Sequence, residues 1–234
     1  MHWNISQYPI LSSTNDLVME RMRDGRAQAG DVVAAAEQLA GRGRPGRVWH
    51  SNPGALAMTV VLPLYPELAG WCSLTAGVAA VSALRALKVP AGLKWPNDLQ
   101  LAGLKLGGIL VESSDPALIA VGIGINVSNR PPNDPEVAAR AGFAADYVPD
   151  LTPDRVLHEV LDALDHFWSQ LGEGRLDEIR ARWEEWDSTR GRRIRWSRSG
   201  ECGAAEGVNS AGGLVIRMDD GSFQVATVGE VQFL

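Results

Sequence analysis

Leu99-Gln-Leu-Ala-Gly-Leu-Lys-Leu-Gly-Gly-Ile-Leu-Val-Glu112 decides how the chain is built. Two short stretches that read as strands, 99–101 and 104–112, are separated only by Ala102-Gly103, a pair suited to a tight hairpin turn. Leu118 to Val127 follows as a further strand in which Gly122 and Gly124 alternate with apolar residues. Strands this close together, joined by tight turns, predict a mixed or antiparallel sheet rather than repeated crossovers. Gly107-Gly108 interrupts the second strand, and glycine inside a strand often marks a place where something approaches the backbone.

Working outward, Asp31 to Ala36 reads as a buried strand, and Ala55 to Leu62 as a second one ended by Pro63. Leu74 to Leu87 is an Ala-rich helix, apolar nearly all round and therefore buried against the sheet. Leu93 to Trp95 is a short strand. Upstream, the apolar pair Ile10-Leu11 runs into a helix start at Ser-Ser-Thr-Asn-Asp, and the helix ends near Gly25. Ser13 or Thr14 caps this helix, and Asp16 suits its positive end. Alternatively, Ser13, Thr14 and Asn15 present hydroxyls and free backbone donors to a ligand.

Downstream, 130–135 and 149–153 read as loops. Thr152-Pro153-Asp154 opens an amphipathic helix to about Leu171, and a second helix spans Leu176 to Trp186. His158 and His166 stand eight residues apart, too far for a shared metal on one turn, and read as surface residues. After Thr189 short β-rich segments alternate with Ser-Gly, Ala-Gly-Gly and Asp-Asp-Gly turns, the pattern of a small closed or nearly closed β-barrel. The expected architecture is α+β: a mixed central sheet flanked by helices over residues 1–187, and a small β domain over 188–234.

The 234-residue chain has the composition of a soluble globular protein, with a net charge of −6 and a pI near 5.3. That balance argues against broad nucleic-acid binding. No apolar run reaches membrane-spanning length, and no basic-then-apolar leader opens the chain. Cys72 and Cys202 have no metal-type spacing and read as reduced thiols in the cytoplasm.

Against the acidic background stands Gln38-Leu-Ala-Gly-Arg-Gly-Arg-Pro-Gly-Arg-Val-Trp49. Gly41, Gly43 and Gly46 let backbone N–H groups approach a ligand closely. Arg42, Arg44 and Arg47 supply planar, permanently charged donors for carboxylate or phosphate. Trp49 closes the loop with a large apolar ring that must pack somewhere. The stretch reads as an anion-wrapping loop, with a solvated surface loop as the plain alternative. Two more strings stand out: Lys94-Trp-Pro-Asn-Asp98, seven residues before Lys105, and Gly122-Ile-Gly-Ile-Asn126. Each has a bland reading, such as a Lys94–Asp98 ion pair at a strand end.

In this order, Ser-Thr-Asn at 13–15, the Gln38–Trp49 loop, Lys94–Asp98, Lys105-x-Gly-Gly-Ile-Leu-Val-Glu112 and Gly124-Ile-Asn126 resemble the biotin–protein ligases, also called biotin–[acetyl-CoA-carboxylase] ligases. The resemblance covers nearly the whole chain. It implies a class II synthetase-like catalytic domain with an SH3-like C-terminal barrel. It also implies a two-step reaction: biotin, ATP and Mg²⁺ give biotinyl-5′-AMP, which then acylates a lysine of a biotin carboxyl carrier domain of acetyl-CoA carboxylase or a related carboxylase. By the resemblance, Arg42, Arg44 and Lys105 neutralise the biotin carboxylate and α-phosphate. Ser13, Thr14, Gln38 and backbone groups near Arg42 hold the ureido ring, and Gly107 and Gly108 leave room for the bicycle and its tail. Trp49 and Asn126 lie near the adenylate, and Asp98 orients or deprotonates the target lysine. Asn15, Gly41, Gly43, Lys94, Asn97 and Ile109 complete the binding set, with no dedicated metal site and no tightly bound cofactor. The loop is expected to close over the adenylate. Pro45 replaces a further basic residue common in the family.

No N-terminal winged helix is expected, hence no DNA partner, and no membrane association either. A homodimer paired through the glycine-rich strands near 107–124 is one option. The rival functions are a lipoate–protein ligase or octanoyl transferase of similar fold, a non-catalytic biotin sensor, and a nucleic-acid binder using the arginine loop with Arg190 to Arg198.

Overall fold

The computed structural model describes residues 1–44, 46–129 and 134–234. Pro45 and most of the expected 130–135 loop lie outside them. The elements in order are β1 (Asn4–Leu11), α1 (Thr14–Arg23), β2 (Asp31–Gln38), β3 (Ala55–Pro63), α2 (Ala69–Ala86), β4 (Gly92–Lys94), β5 (Asp98–Leu101), β6 (Leu104–Glu112) and β7 (Leu118–Asn126). A short α3 (Pro135–Ala138) precedes α4 (Pro153–Gly172) and α5 (Asp177–Trp186). Five strands complete the chain: β8 (Arg193–Trp196), β9 (Cys202–Val208), β10 (Leu214–Met218), β11 (Phe223–Ala226) and β12 (Val231–Phe233).

The first seven strands form one mixed sheet, ordered β1-β2-β3-β7-β6-β5-β4. Only β1 and β2 run parallel; all other neighbours are antiparallel, as the hairpin spacing requires. β1 is absent from the expected elements. It is an edge strand with weak burial alternation, and it contains Pro9, which an edge tolerates because one side of its backbone is unpaired. β6 and β7 are interior strands, so the expected pairing of two chains through 107–124 is closed off; the sheet edges are β1 and β4.

The sheet has two unlike faces. On one, Leu56, Met58, Val60 and Leu62 of β3 meet Val121, Ile123 and Ile125 of β7 beneath α2 and α4, and the fully buried Trp71, Leu74, Leu84 and Trp168 fill the space. α2 begins at Ala69, five residues before its expected start. With its lead-in it is long and apolar enough to cross a bilayer by composition alone, contrary to the reading above, but here it is a core helix packed on α4 and the sheet. On the other face, α1 covers only one end, over Val33, Val61 and Ala120. Thr152 caps α4 by accepting from the Arg155 N–H, and His158 and His166 are exposed on it, as expected.

The C-terminal strands form a five-stranded antiparallel sheet, ordered β11-β10-β9-β8-β12. Its inner residues, among them Ile194, Leu214 and Ile216, belong to the same apolar cluster as α2 and the large sheet. Trp71 Nε1 donates to Ser210 O at 2.8 Å and Trp95 Nε1 to Gly212 O at 3.2 Å. A Cβ on Gly70 would stand 2.1 Å from Ala211 O, so glycine is needed for this close seam.

Candidate active site

The register of the large sheet builds the floor. Ala57 of β3 pairs with Gly124 of β7, Gly124 with Gly108 of β6, and Gly108 with Asp98 of β5. This row across four strands carries almost no side chain until Asp98. The next row is Thr59, Gly122 and Leu110. The result is a cleft of about 290 Å³ on the face that α1 leaves open.

At one end the groups are neutral and interlocked. Ser13 caps α1 by accepting from the Asp16 N–H, so the capping role falls to Ser13. Thr14 and Asn15 are buried and line the cleft instead. Gln38 Oε1 accepts from both the backbone N–H (2.8 Å) and Oγ1 (3.1 Å) of Thr14. With its oxygen so occupied, the Gln38 amide has its N–H groups left to donate. Thr59 Oγ1 lies 2.8 Å from Thr14 Oγ1 and 2.6 Å from Asn15 Oδ1. Gly122 is required here, because a Cβ would fall 2.2 Å from Asn15 Oδ1.

At the other end the groups are charged. Lys105 Nζ donates to Asp98 Oδ1 at 2.5 Å. Asn97 is fastened to β6 by both backbone and side chain: Ile109 N–H donates to Asn97 O, and Asn97 Nδ2 donates to Ile109 O at 2.7 Å. Its Oδ1 accepts from Arg44 at 3.2 Å. Asn126 Nδ2 reaches Lys105 O at 3.4 Å.

The glycine–arginine loop folds back on itself. Trp49 N–H donates to Gly41 O and Gly43 N–H to Arg47 O, while Arg42 bridges Val48. A Cβ on Gly41 would stand 2.4 Å from Trp49 O. The Trp49 indole lies against Gly124, where a Cβ would come within 2.5 Å of the ring. Its buried Nε1 has no hydrogen-bond partner among the described residues. Arg42 is gripped by Glu112 and Asp16. Arg44 donates to Gly229 O, and Arg47 pairs with Glu230.

The cleft therefore gathers Ser13, Thr14, Asn15, Gln38, Arg42, Gly43, Arg44, Trp49, Asn97, Asp98, Lys105, Gly108, Ile109 and Asn126, leaving three expected residues outside it. Gly41 backs the loop. Gly107 points the other way, toward the helical layer: its Cβ would meet Leu99 and Gly124 O, so it makes no room for a ligand. Lys94 turns to the C-terminal sheet, its ammonium 4.7 Å from the centre of the Phe233 ring, and burial pushes it below the usual lysine range. Glu230, Arg140, Val137 and Phe143 line the cleft without having been expected there, and the buried Thr59 supports Thr14 and Asn15 from behind. Only the period-two Gly122/Gly124 pattern hinted at the floor.

Residues 8–127 match the model of the biotin/lipoate A/B protein ligase family. A biotin–[acetyl-CoA-carboxylase] ligase from Paracoccus denitrificans is 32 % identical, over 96 % of this chain and 99 % of the relative. The bifunctional ligase/repressor BirA of Salmonella typhimurium is also 32 % identical, over 92 % of this chain and 70 % of the relative. Among solved structures, the biotin protein ligase from Aquifex aeolicus in complex with biotin and ATP superposes with a TM-score of 0.86 at 27 % identity, covering 99 % of this chain and 98 % of that one. The chain belongs to the biotin/lipoate A/B protein ligase family.

Proposed function

We propose that the protein is an ATP-dependent biotin ligase that makes biotinyl-5′-AMP and then biotinylates a lysine of a biotin carboxyl carrier domain. The observation that carries this reading is the two-ended cleft on a floor without side chains. Its neutral end offers the Gln38 amide and the Thr14 hydroxyl to a planar ring that both donates and accepts, as a ureido group does. Its charged end offers Lys105 and Arg44 to a carboxylate meeting a phosphate. A lipoyl dithiolane has no use for the first set.

In the first step the biotin carboxylate oxygen attacks the α-phosphorus, and the bond to the bridging oxygen breaks with loss of pyrophosphate. Two anions approach each other, so cations placed in advance lower the barrier. Lys105 and Arg44 serve here, Arg44 held in place by Asn97. Trp49 lies beside the adenylate with Asn126. No cluster of three or more His, Cys, Asp or Glu suited to a metal exists among the described residues. Magnesium bound with the nucleotide would supply positive charge that offsets the charge of the leaving group.

In the second step the lysine nitrogen attacks the acyl carbon and AMP leaves. A free lysine has a pKa near 10.4 and must lose a proton first. Asp98 is the group for this: once Lys105 turns to phosphate, the Asp98 carboxylate loses its partner and faces the incoming ammonium.

We divide the chain at residue 187, between the sheet that binds substrates and the sheet that ties down the loop. Any self-association by strand pairing falls to an edge strand, such as β1 or β11. Free thiols at Cys72 and Cys202 and the need for ATP support a cytoplasmic location. The test supplies radiolabelled ATP with either biotin or lipoate. A biotin-dependent adenylate is expected, with none from lipoate; a lipoate-dependent product alone overturns the assignment.

A further inference from the structure

Glu112 ends the β6 motif, yet nothing in the chemistry above uses it. Its Oε1 and Oε2 accept from the two terminal nitrogens of Arg42 at 3.0 and 2.5 Å. The same Oε2 accepts from Asn15 Nδ2 at 2.9 Å. Asp16 Oδ1 takes the remaining side of the guanidinium, 2.7 Å from Nε. Arg42 is thus held on three nitrogens by two carboxylates from β6 and α1. A cation that already faces two negative groups is a poor receptor for a third anion, since the local sum is negative before any ligand arrives.

We infer that Glu112, assisted by Asp16, is a positioning residue that anchors the glycine–arginine loop through Arg42, so that Arg42 acts as a fastener rather than as an anion receptor. The backbone carries the effect onward. Arg42 bridges Val48, and the Trp49 N–H donates to Gly41 O, so fixing Arg42 fixes the return strand of the loop. That places the Trp49 indole on Gly124, in the middle of the floor. The same Glu112 holds Asn15 at the neutral end. One carboxylate therefore sets the loop and the ring-binding end in mutual register, while Arg44 and Lys105, each facing a single carboxylate, are the cations better placed to meet the anions. What the loop closes over rests on the biotin-ligase reading; the fastening does not.

The test uses the full chain carrying Glu112→Gln, Glu112→Asp or Asp16→Asn. Limited trypsin digestion without ligand is followed by mass spectrometry at Arg42 and Arg47, and kcat and KM for biotin are measured separately. Charge-assisted bidentate bonds are among the strong ones, so Glu112→Gln is expected to speed cleavage and raise KM about 10-fold each. Glu112→Asp keeps most of the protection. Asp16→Asn, at a half-exposed side chain whose loss leaves the core intact, shifts cleavage the same way by about 2-fold. Wild-type cleavage rates in both Glu112→Gln and Asp16→Asn overturn the fastener, as does an unchanged KM in Glu112→Gln. If the unaltered chain makes no biotinyl-adenylate, the ligase reading fails, while the cleavage rates still decide the fastener.

Discussion

The two faces of β3, β6 and β7 are made by the same strands from opposite kinds of residue. Toward α2 and α4 they present Leu56, Met58, Ile123 and Ile125, large and fully packed. Toward the cleft they present Ala57, Gly124, Gly108 and Gly122, which fill almost no space. Period-two alternation lets one strand build a core and a binding floor together. The stability sits on one face and the chemistry on the other, and substitutions should separate the two.

The largest effect is expected on the packed face. Ile123→Ala removes a buried side chain under the helices and should cost about 2–5 kcal/mol of stability, read by denaturant unfolding. Once folded, it should bind biotin with an unchanged KM. On the open face, Lys105→Ala should cut adenylate formation by roughly 10²–10³ while the melting temperature stays near wild type. A loss of stability with intact chemistry there would break the division.

The adjacent glycines sharpen it. In Gly107→Ala the new methyl meets Gly124 O at 2.4 Å, so stability should fall by about 1–3 kcal/mol. In Gly108→Ala the nearest atoms, on Lys105, are 3.7 Å away. Stability should change by no more than about 0.5 kcal/mol, whereas KM for biotin should rise several-fold. Equal effects at the two positions would contradict the assigned faces.

The smallest effect concerns Lys94, outside the cleft. Burial lowers its pKa below 10.5, so the folded state sheds this proton before the unfolded state does. The penalty for a buried charge is present at neutral pH and is relieved as pH rises through the folded pKa toward 10.5. Relative to Lys94→Met, the wild-type chain should therefore gain stability over that window, measured by paired urea titrations.

Local features of the fold were legible in the sequence. Ser13 caps α1, Ala102-Gly103 turns the β5–β6 hairpin, and Thr152 opens α4, because each is settled within four residues. What depended on distant partners was not. β1 gains its strand from β2. The face of Gly107 cannot be read from the apolar stretch Leu106 to Val111, since a register shift between Leu99 and Gln100 decides it. The lining of the cleft was legible as a set of residue types but not as a set of pairs. Nothing in the spacing says that Arg42 finds Glu112, that Arg47 finds Glu230, or that Lys94 turns to Phe233. An arginine in a glycine loop looks the same whether it waits for a phosphate or already grips a carboxylate.

The most direct measurement incubates the protein with biotin, ATP, Mg²⁺ and a carrier domain, and probes the carrier with streptavidin. A labelled carrier is expected, its label requiring both ATP and biotin and being lost when the carrier's acceptor lysine is changed to arginine. An unlabelled carrier, or labelling that persists without ATP, would contradict it.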